Sequence, residues 1–259
     1  MAIVRLRPDD LRRAIAENAL TLQFQPQVYV PTGKLVGAEA FVRWPHPSYG
    51  MIGPSDIIPL VELGRFHAEF DRWVITALCE QIKRWDAEGF DVPIVAANLW
   101  SQTLRSPDVV EMVSKIVIAS GVRADVVEME MPNGTLRDPA LAEAARRLRV
   151  LGVRVATEEL TDPALAAAAS DFDTLKIGWP IVRELGVARS NSGDAVTAVI
   201  DAARAAGARV VADSVELEEQ EEALVALGCE VVQGYLYGPE VSAAELKTLA
   251  AVGVRPVEE

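Results

Sequence analysis

Residues 22–44 read LQFQPQVYVPTGKLVGAEAFVRW, and this stretch decides how the fold begins. It holds two strand-like runs, Leu22–Tyr29 and Leu35–Trp44, joined by Val30-Pro31-Thr32-Gly33. Four residues are too few for the crossover that parallel strands need, so the two strands form a hairpin. The sequence therefore predicts that its first two strands are antiparallel.

Strand-like and helix-like segments alternate from this hairpin to the end of the chain. Six further runs are short, continuously apolar and rich in Val, Ile and Leu: Ile94–Trp100, Val126–Met131, Val153–Glu158, Thr174–Gly178, Arg209–Asp213 and Glu230–Leu236. Strands that are buried on both faces have this composition. Eight strands separated by helices, with no linker rich in Pro, Gly or Ser, predict a single α/β domain. The predicted architecture is a (β/α)₈ TIM-like barrel with an antiparallel first strand.

Helical periodicity fills the segments between the predicted strands. Helices are predicted at Pro107–Ser120, Asp138–Leu151, Pro163–Ala169, Gly193–Ala206, Val215–Leu227 and Ser242–Ala251, and Ile57–Glu88 is long enough for two. A further helix at Asp10–Asn18 precedes the first strand. This pattern predicts an N-terminal lead-in helix over residues 1–19 and a barrel domain over residues 20–259.

The charge balance disfavours some classes of partner. The chain has 259 residues, half of them apolar, and its 25 Lys and Arg against 38 Asp and Glu give a formal net charge of −13. This composition excludes a disordered chain and disfavours DNA or an anionic membrane as a partner. A polyanionic ligand would need local cations or a bound metal.

The cysteines and the N-terminus predict a cellular compartment. Cys79 and Cys229 lie among apolar residues without a CxxC spacing, which predicts buried thiols in a reducing environment rather than a zinc site. Residues Met1–Asp10 lack the apolar core of a signal peptide, and no segment is apolar over the ~20 residues of a membrane span. The sequence therefore predicts a cytoplasmic protein.

Polar residues lie at or near the ends of nearly all the predicted strands, where side chains of a barrel converge on its mouth. They are Gln25, Glu39, Arg43, Asn98, Glu128, Glu130, Glu158, Glu159, Lys176, Asp213, Glu216 and Gln233. A single acidic residue at a strand end is more often a solvated loop residue than a ligand. A ring of such residues that converge on one mouth favours a ligand site. If Glu39, Asn98, Glu128 and Glu158 point into one mouth, they form an all-oxygen site that suits Mg²⁺ or Ca²⁺ rather than zinc. These residues predict a metal-assisted hydrolase or an anion-binding relic of one, with phosphate esters as the favoured ligands and sugars or carboxylates left open.

Several motifs at the same positions are similar to those of one known family. Glu39-Ala40-Phe41 stands where that family has Glu-Ala-Leu, and Val42-Arg43-Trp44 follows. Further matches are Asn98-Leu99, Leu175-Lys176-Ile177 and Gln233-Gly234-Tyr235-Leu236. On these residues the chain resembles the EAL domain family, bacterial phosphodiesterases that hydrolyse cyclic di-GMP, from about Leu20 to Leu246.

The resemblance implies a role for each residue of the predicted mouth. Glu39, Asn98 and Glu128 would hold a catalytic Mg²⁺ or Mn²⁺, and Glu158 and Glu159 stand where the family has two further aspartate ligands. Lys176 would contact the attacking water, and Gln233 and Glu216 would complete the site. Arg43 would meet a ligand phosphate, and Gln25 a guanine edge.

The chain departs from the family at the positions that carry chemistry. Glu158–Pro163 replaces Asp-Asp-Phe-Gly-Thr-Gly, and Met131 replaces a glutamate that anchors this loop. Gly178 replaces an aspartate. Asp213 replaces a glutamate that, by the resemblance, would be the general base. Because a misplacement of ~1 Å can cost ~100-fold in rate, these changes predict impaired catalysis.

Three functions follow as hypotheses. The first is a degenerate EAL domain that acts as a cyclic di-GMP receptor or regulatory scaffold. The second is an active Mg²⁺- or Mn²⁺-dependent phosphodiesterase that yields pGpG. The third is a protein-interaction module without nucleotide binding, whose acidic face at Glu216–Glu222 docks a basic partner. Members of the family commonly dimerise near the altered loop, and the resemblance leaves a homodimer open.

Overall fold

The structure, a computed structural model, describes residues 6–132, 135–158, 160, 170–185, 187 and 190–257. Its strands are β1 (Thr21–Tyr29), β2 (Lys34–His46), β3 (Gly50–Ile52), β4 (Val95–Asn98), β5 (Val127–Met131), β6 (Arg154–Thr157), β7 (Thr174–Ile177), β8 (Arg209–Ala212) and β9 (Val231–Val232). Its α-helices are α1 (Pro8–Ala16), α2 (Pro54–Gly64), α3 (His67–Ala87), α4 (Ser101–Leu104), α5 (Val109–Ser120), α6 (Pro139–Val150), α7 (Trp179–Val182), α8 (Ser192–Ala206), α9 (Glu218–Leu227) and α10 (Ala243–Val252).

Eight of the strands close into a barrel. β2 and β4 to β9 pair in parallel in the order β2-β4-β5-β6-β7-β8-β9, and β1 closes the ring by pairing antiparallel with both β2 and β9. The predicted barrel and its antiparallel first strand are therefore confirmed. β3 adds antiparallel to the end of β2 outside the ring. This strand was not predicted, because three residues are too few to show a period.

The observed elements follow the predicted ones with local differences. The predicted strand Glu230–Leu236 is reduced to Val231–Val232, because the backbone turns at Gly234 and Tyr235–Tyr237 forms a short 3₁₀ helix. The short helices α4 and α7 were not predicted. The predicted helix Pro163–Ala169 lies outside the described residues.

The lead-in helix α1 packs against the helices of the barrel. Its Leu11 is fully buried, and Arg12 forms an ion pair with Glu69 of α3 at 2.9 Å. Trp73 Nε1 of the same helix donates a hydrogen bond to Asn18 Oδ1 just beyond α1. The helix predicted at Asp10–Asn18 is present, and the domain boundary at residue 19 stays a prediction.

The core has an apolar layer between strands and helices, and a polar interior within the barrel. All five residues of β5 are buried. Because side chains alternate along a strand, Met129 faces the helices, and Glu128 and Glu130 face the opposite side, the interior of the barrel. Cys79 and Cys229 are buried free thiols, as predicted. Among the described residues, no helix combines the length and apolar character needed to cross a membrane.

Candidate functional site

A cavity of about 620 Å³ opens at the carboxyl ends of the barrel strands. Its charged and amide lining residues lie on the strands or in the loops that follow them: Gln25, Glu39, Asn98, Glu130, Glu158, Lys176, Asp213, Glu216 and Glu240. Apolar residues of α2 and α3, among them Ile57, Phe70 and Val74, form one wall. A concave site with an apolar wall and convergent polar groups is the usual form of a small-molecule site.

The ammonium group of Lys176 lies at the floor of this cavity among three carboxylates. Its Nζ is 2.6 Å from Glu39 Oε2, 3.0 Å from Glu130 Oε2 and 3.1 Å from Asp213 Oδ2. Lys176 is 2% exposed, so solvent screens these interactions little. Burial alone lowers the pKa of Lys176, but Glu130, Glu39 and Asp213 raise it well above its ordinary value. The lysine is therefore a fixed positive charge at the centre of the site.

Glu39 connects this cluster to the amides around it. Asn98 Nδ2 donates to Glu39 Oε1 at 2.7 Å, and Gln233 Nε2 donates to Glu39 Oε2 at 2.7 Å. Gln233 Nε2 also lies 3.1 Å from Gln25 Oε1. Both oxygens of the Glu39 carboxylate are thus engaged, and residues predicted from four strand ends meet at one point.

A second polar layer inside the barrel supports the site from below. Gln27 Nε2 donates to Gln233 Oε1 at 3.0 Å, and Arg209 in turn donates to Gln27 Oε1. Gln233 is fully buried. Because its carbonyl is held from below, its amide group faces Glu39 and Gln25. This layer therefore orients a residue of the mouth.

The structure corrects the position of one predicted site residue. Glu128 is fully buried in the lower layer, where Thr174 Oγ1 donates to its Oε2 at 2.5 Å. Glu130 lines the mouth instead and lies beside Asn98 in the parallel register of β4 and β5. Both glutamates point into the barrel because they are two residues apart, but only Glu130 lies at the end of the strand.

The other predicted residues divide into three groups. Lys176, Asp213, Gln233, Gln25, Glu39 and Asn98 are joined by the contacts given above, and Glu158 and Glu216 line the same cavity. Glu159 lies outside the described residues. Arg43 is 8% exposed and pairs with Glu240 Oε2 at 3.1 Å. Glu240 was not predicted, because its loop carries no strand or motif signal.

The oxygen donors of the mouth fit a hard divalent cation by their chemistry. Glu39, Asn98, Glu130 and Glu158 lie at the ends of consecutive strands and offer carboxylate and amide oxygens, which Mg²⁺ and Mn²⁺ prefer. Within the described part of the chain, no three His, Cys, Asp or Glu residues are grouped closely enough to hold a metal ion. Lys176 supplies the positive charge between the carboxylates in this arrangement. A metal would therefore require Glu39 or Glu130 to exchange its bond to the lysine.

A buried aspartate behind the cavity wall holds the loop that follows Asn98. Asp71 of α3 is 1% exposed, and its Oδ2 accepts the backbone N–H of Trp100 at 3.1 Å. Burial raises the pKa of Asp71 to about 7, and the hydrogen bond from the backbone N–H of Trp100 offsets part of the effect. The loop that carries Trp100 into the cavity wall therefore depends on a carboxyl group that titrates near neutral pH.

We expect Asp71 to make folding stability depend on pH. The folded chain keeps the proton up to about pH 7, whereas an unfolded aspartate loses it near 3.8. Stability is therefore full below about pH 4 and declines as the pH rises toward 7, by up to about 4 kcal/mol at ~1.4 kcal/mol per unit of pKa. In urea unfolding from pH 4.5 to 8, Asp71→Asn should abolish most of this decline.

An exposed aspartate provides the control for this measurement. Asp56→Asn on α2 removes the same charge from the surface and should leave the pH dependence of the wild type unchanged. An Asp71→Asn variant whose stability still declines as steeply as that of the wild type would contradict the assignment.

The fold and site define a (β/α)₈ barrel with a carboxylate-lined mouth centred on a buried lysine. The EAL domain family model matches residues 8–240, and the chain belongs to the EAL domain family. MucR of Pseudomonas aeruginosa, a bifunctional diguanylate cyclase/cyclic di-GMP phosphodiesterase, is 29% identical over 254 residues, which cover 92% of this chain and 35% of MucR.

Solved structures show the same relationship. A MucR phosphodiesterase structure in complex with c-di-GMP superposes with a TM-score of 0.82 at 28% identity, covering 92% of this chain and 98% of that one. The EAL domain of Mycobacterium smegmatis DcpA gives a TM-score of 0.74 at 28% identity, covering 92% and 100%. The chain spans about a third of the length of the curated relatives it matches.

Proposed function

We propose that this chain binds cyclic di-GMP in the barrel mouth and hydrolyses it poorly or not at all, and so acts as a receptor or regulatory scaffold in cyclic di-GMP signalling. The observation that carries the proposal is the bonding of Lys176. The cavity around Lys176 is open to a ligand, which favours binding. The ammonium group itself contacts three carboxylates, which disfavours hydrolysis.

Binding is supported by the cavity and its relatives. The mouth has the size of a small-molecule site and presents Gln25 and Asn98 beside apolar walls. The MucR phosphodiesterase structure, of which this chain covers 98%, is a c-di-GMP complex. The nucleotide would lie across the strand ends, where the side chains of this chain already converge.

Impaired hydrolysis is supported by the hydrogen-bond capacity of the lysine. An ammonium group has three N–H donors. Lys176 donates hydrogen bonds to Glu39 and Glu130 and forms an ion pair with Asp213, so these three carboxylates compete with a water molecule for its N–H groups. Asp213 reaches Lys176 directly, and this contact engages the carboxylate that stands in the general-base position of the resemblance.

Residual activity would depend on a metal. Glu39, Asn98, Glu130 and Glu158, together with Glu159, are the residues that would hold Mg²⁺ or Mn²⁺. A divalent ion there would polarise a phosphodiester oxygen and lower the pKa of a bound water. This chain's own residues would bind the nucleotide and orient it. The carboxylate and amide oxygens of this donor set are the reason that a metal-dependent phosphodiesterase is the second candidate.

Calorimetric titration with cyclic di-GMP tests the proposal. We expect binding in buffer with Mg²⁺ and weaker binding with EDTA, because six carboxylates line the described cavity against one lysine. Over the same period, incubation with Mg²⁺ or Mn²⁺ should yield little or no pGpG. Rapid pGpG formation would show the active phosphodiesterase instead. No heat under either condition would remove the receptor and favour a protein-interaction module.

A further inference from the structure

An ion pair at the rim of the mouth engages the arginine that would meet a ligand phosphate. Arg43 Nη2 lies 3.1 Å from Glu240 Oε2, and Arg43 Nη1 donates to the carbonyl oxygen of Val42 at 3.1 Å. Glu240 lines the cavity, whereas Arg43 is not among its lining residues in the described part of the chain. Glu240 therefore contacts both the guanidinium group and the cavity that a ligand would fill.

The backbone around Glu240 holds this carboxylate in place. Val241, the next residue, pairs with Phe24 of β1 through two backbone hydrogen bonds of 2.8 and 2.9 Å. On the other side, Gln25 Nε2 donates to the carbonyl oxygen of Gly238 at 3.3 Å. Glu240 is thus anchored on both sides to a strand of the barrel, and its contact with Arg43 is part of the folded structure.

Burial makes the attraction between these two charges stronger than in an ordinary surface ion pair. The side chains of Arg43 and Glu240 are only 10% and 18% exposed. Water and salt screen charges poorly at such sites, and a phosphate that approached Arg43 would meet the Glu240 carboxylate first. A ligand phosphate must therefore displace a carboxylate that has the same charge and the same two-oxygen geometry.

We propose that Glu240 is a specificity-determining residue that competes with a ligand phosphate for Arg43 and so weakens the affinity of the mouth for phosphodiesters. This inference rests on the proposed function, since it concerns the same cavity. It assigns the arginine a latent role: Arg43 binds a phosphate only when Glu240 moves away from it.

Calorimetric titration of Glu240→Gln with cyclic di-GMP in EDTA buffer tests this proposal. We expect the variant to bind about tenfold or more tightly than the wild type, because a charge-assisted bond to Arg43 becomes available to the ligand. The gain should require the arginine. In the Arg43→Ala background, adding Glu240→Gln should therefore change the affinity by less than about twofold.

Glu62→Gln is the matched control, because it removes the same formal charge from an exposed side chain of α2, a helix of the cavity wall, outside the Arg43 pair. It should raise the affinity by less than about threefold, through long-range charge alone. An equal gain in Glu62→Gln and Glu240→Gln would overturn the proposal, and so would a gain that survives Arg43→Ala.

Inorganic phosphate separates this inference from the proposed function. If neither the wild type nor any variant binds cyclic di-GMP, the receptor function fails. The role of Glu240 still stands in that case if Glu240→Gln binds inorganic phosphate more tightly than the wild type, and only when Arg43 is present. If Glu240→Gln gains affinity for neither probe while its circular dichroism matches that of the wild type, Glu240 does not compete for Arg43.

Discussion

Replacing Lys176 with methionine should lower the free energy of unfolding by about 3–5 kcal/mol, since it leaves a buried cluster of carboxylates without its cation. Glu39, Glu130 and Asp213 all lie within 3.1 Å of the ammonium group, and their mutual repulsion would no longer be compensated. Burial and Glu39 already raise the pKa of Glu130 well above its ordinary value, with Lys176 offsetting part of this effect. Urea unfolding at pH 7.5 followed by circular dichroism measures the loss.

Two further variants test the cause of this loss. Lys247→Met removes a lysine whose Nζ lies 2.9 Å from Glu88 but is well exposed, and it should cost less than about 1 kcal/mol. Adding Glu130→Gln to Lys176→Met should restore part of the stability, because it removes one of the repelling charges. The assignment of Lys176 as the central charge would be wrong if Lys176→Met and Lys247→Met were equally stable.

Replacing Gly234 with alanine should destabilise the fold by about 3 kcal/mol or more, because both the backbone conformation and the available space exclude a side chain. Gly234 has φ +152. A Cβ atom there would lie 2.2 Å from the carbonyl oxygen and 2.3 Å from the nitrogen of Val215. These are backbone atoms of a neighbouring segment, so they cannot rotate away. Thermal and urea unfolding measure the effect.

Gly228→Ala separates conformation from space in this prediction. Gly228 also has positive φ, at +94, but nothing lies within 4 Å of a Cβ added there. The control should therefore cost only about 1 kcal/mol, from the left-handed conformation alone. Because Gly234 directly follows Gln233, its alanine variant should also weaken cyclic di-GMP binding at temperatures where it remains folded. Equal losses at the two glycines would show that the contact with Val215 relaxes.

The barrel was predictable because its information is local and repeated. Short apolar runs that alternate with amphipathic segments indicate a sheet covered by helices, and the four-residue connection before Lys34 excludes a crossover. The strand ends also located the mouth, since the carboxyl ends of parallel strands meet at one face of a barrel. Lys176, Glu39, Asn98 and Gln233 were found in this way.

Local patterns could not choose between Glu128 and Glu130. Both residues point into the barrel, so strand alternation treats them alike. The choice depends on the level of the neighbouring strand, because Glu130 lies beside Asn98 and Glu128 beside Ala96. Register between strands is a tertiary property, set by the packing of helices over the whole sheet.

The sequence by itself therefore determined the class of fold, the antiparallel opening hairpin and the face of the barrel that carries the polar residues. Only the tertiary structure decided how those residues bond: that Lys176 is shared among three carboxylates, and that Glu240 engages Arg43. The physical reason is that side-chain periodicity is a property of neighbouring residues in the sequence. The contacts of Lys176 and Glu240 instead join segments that meet only when the barrel closes and brings β1 between β2 and β9.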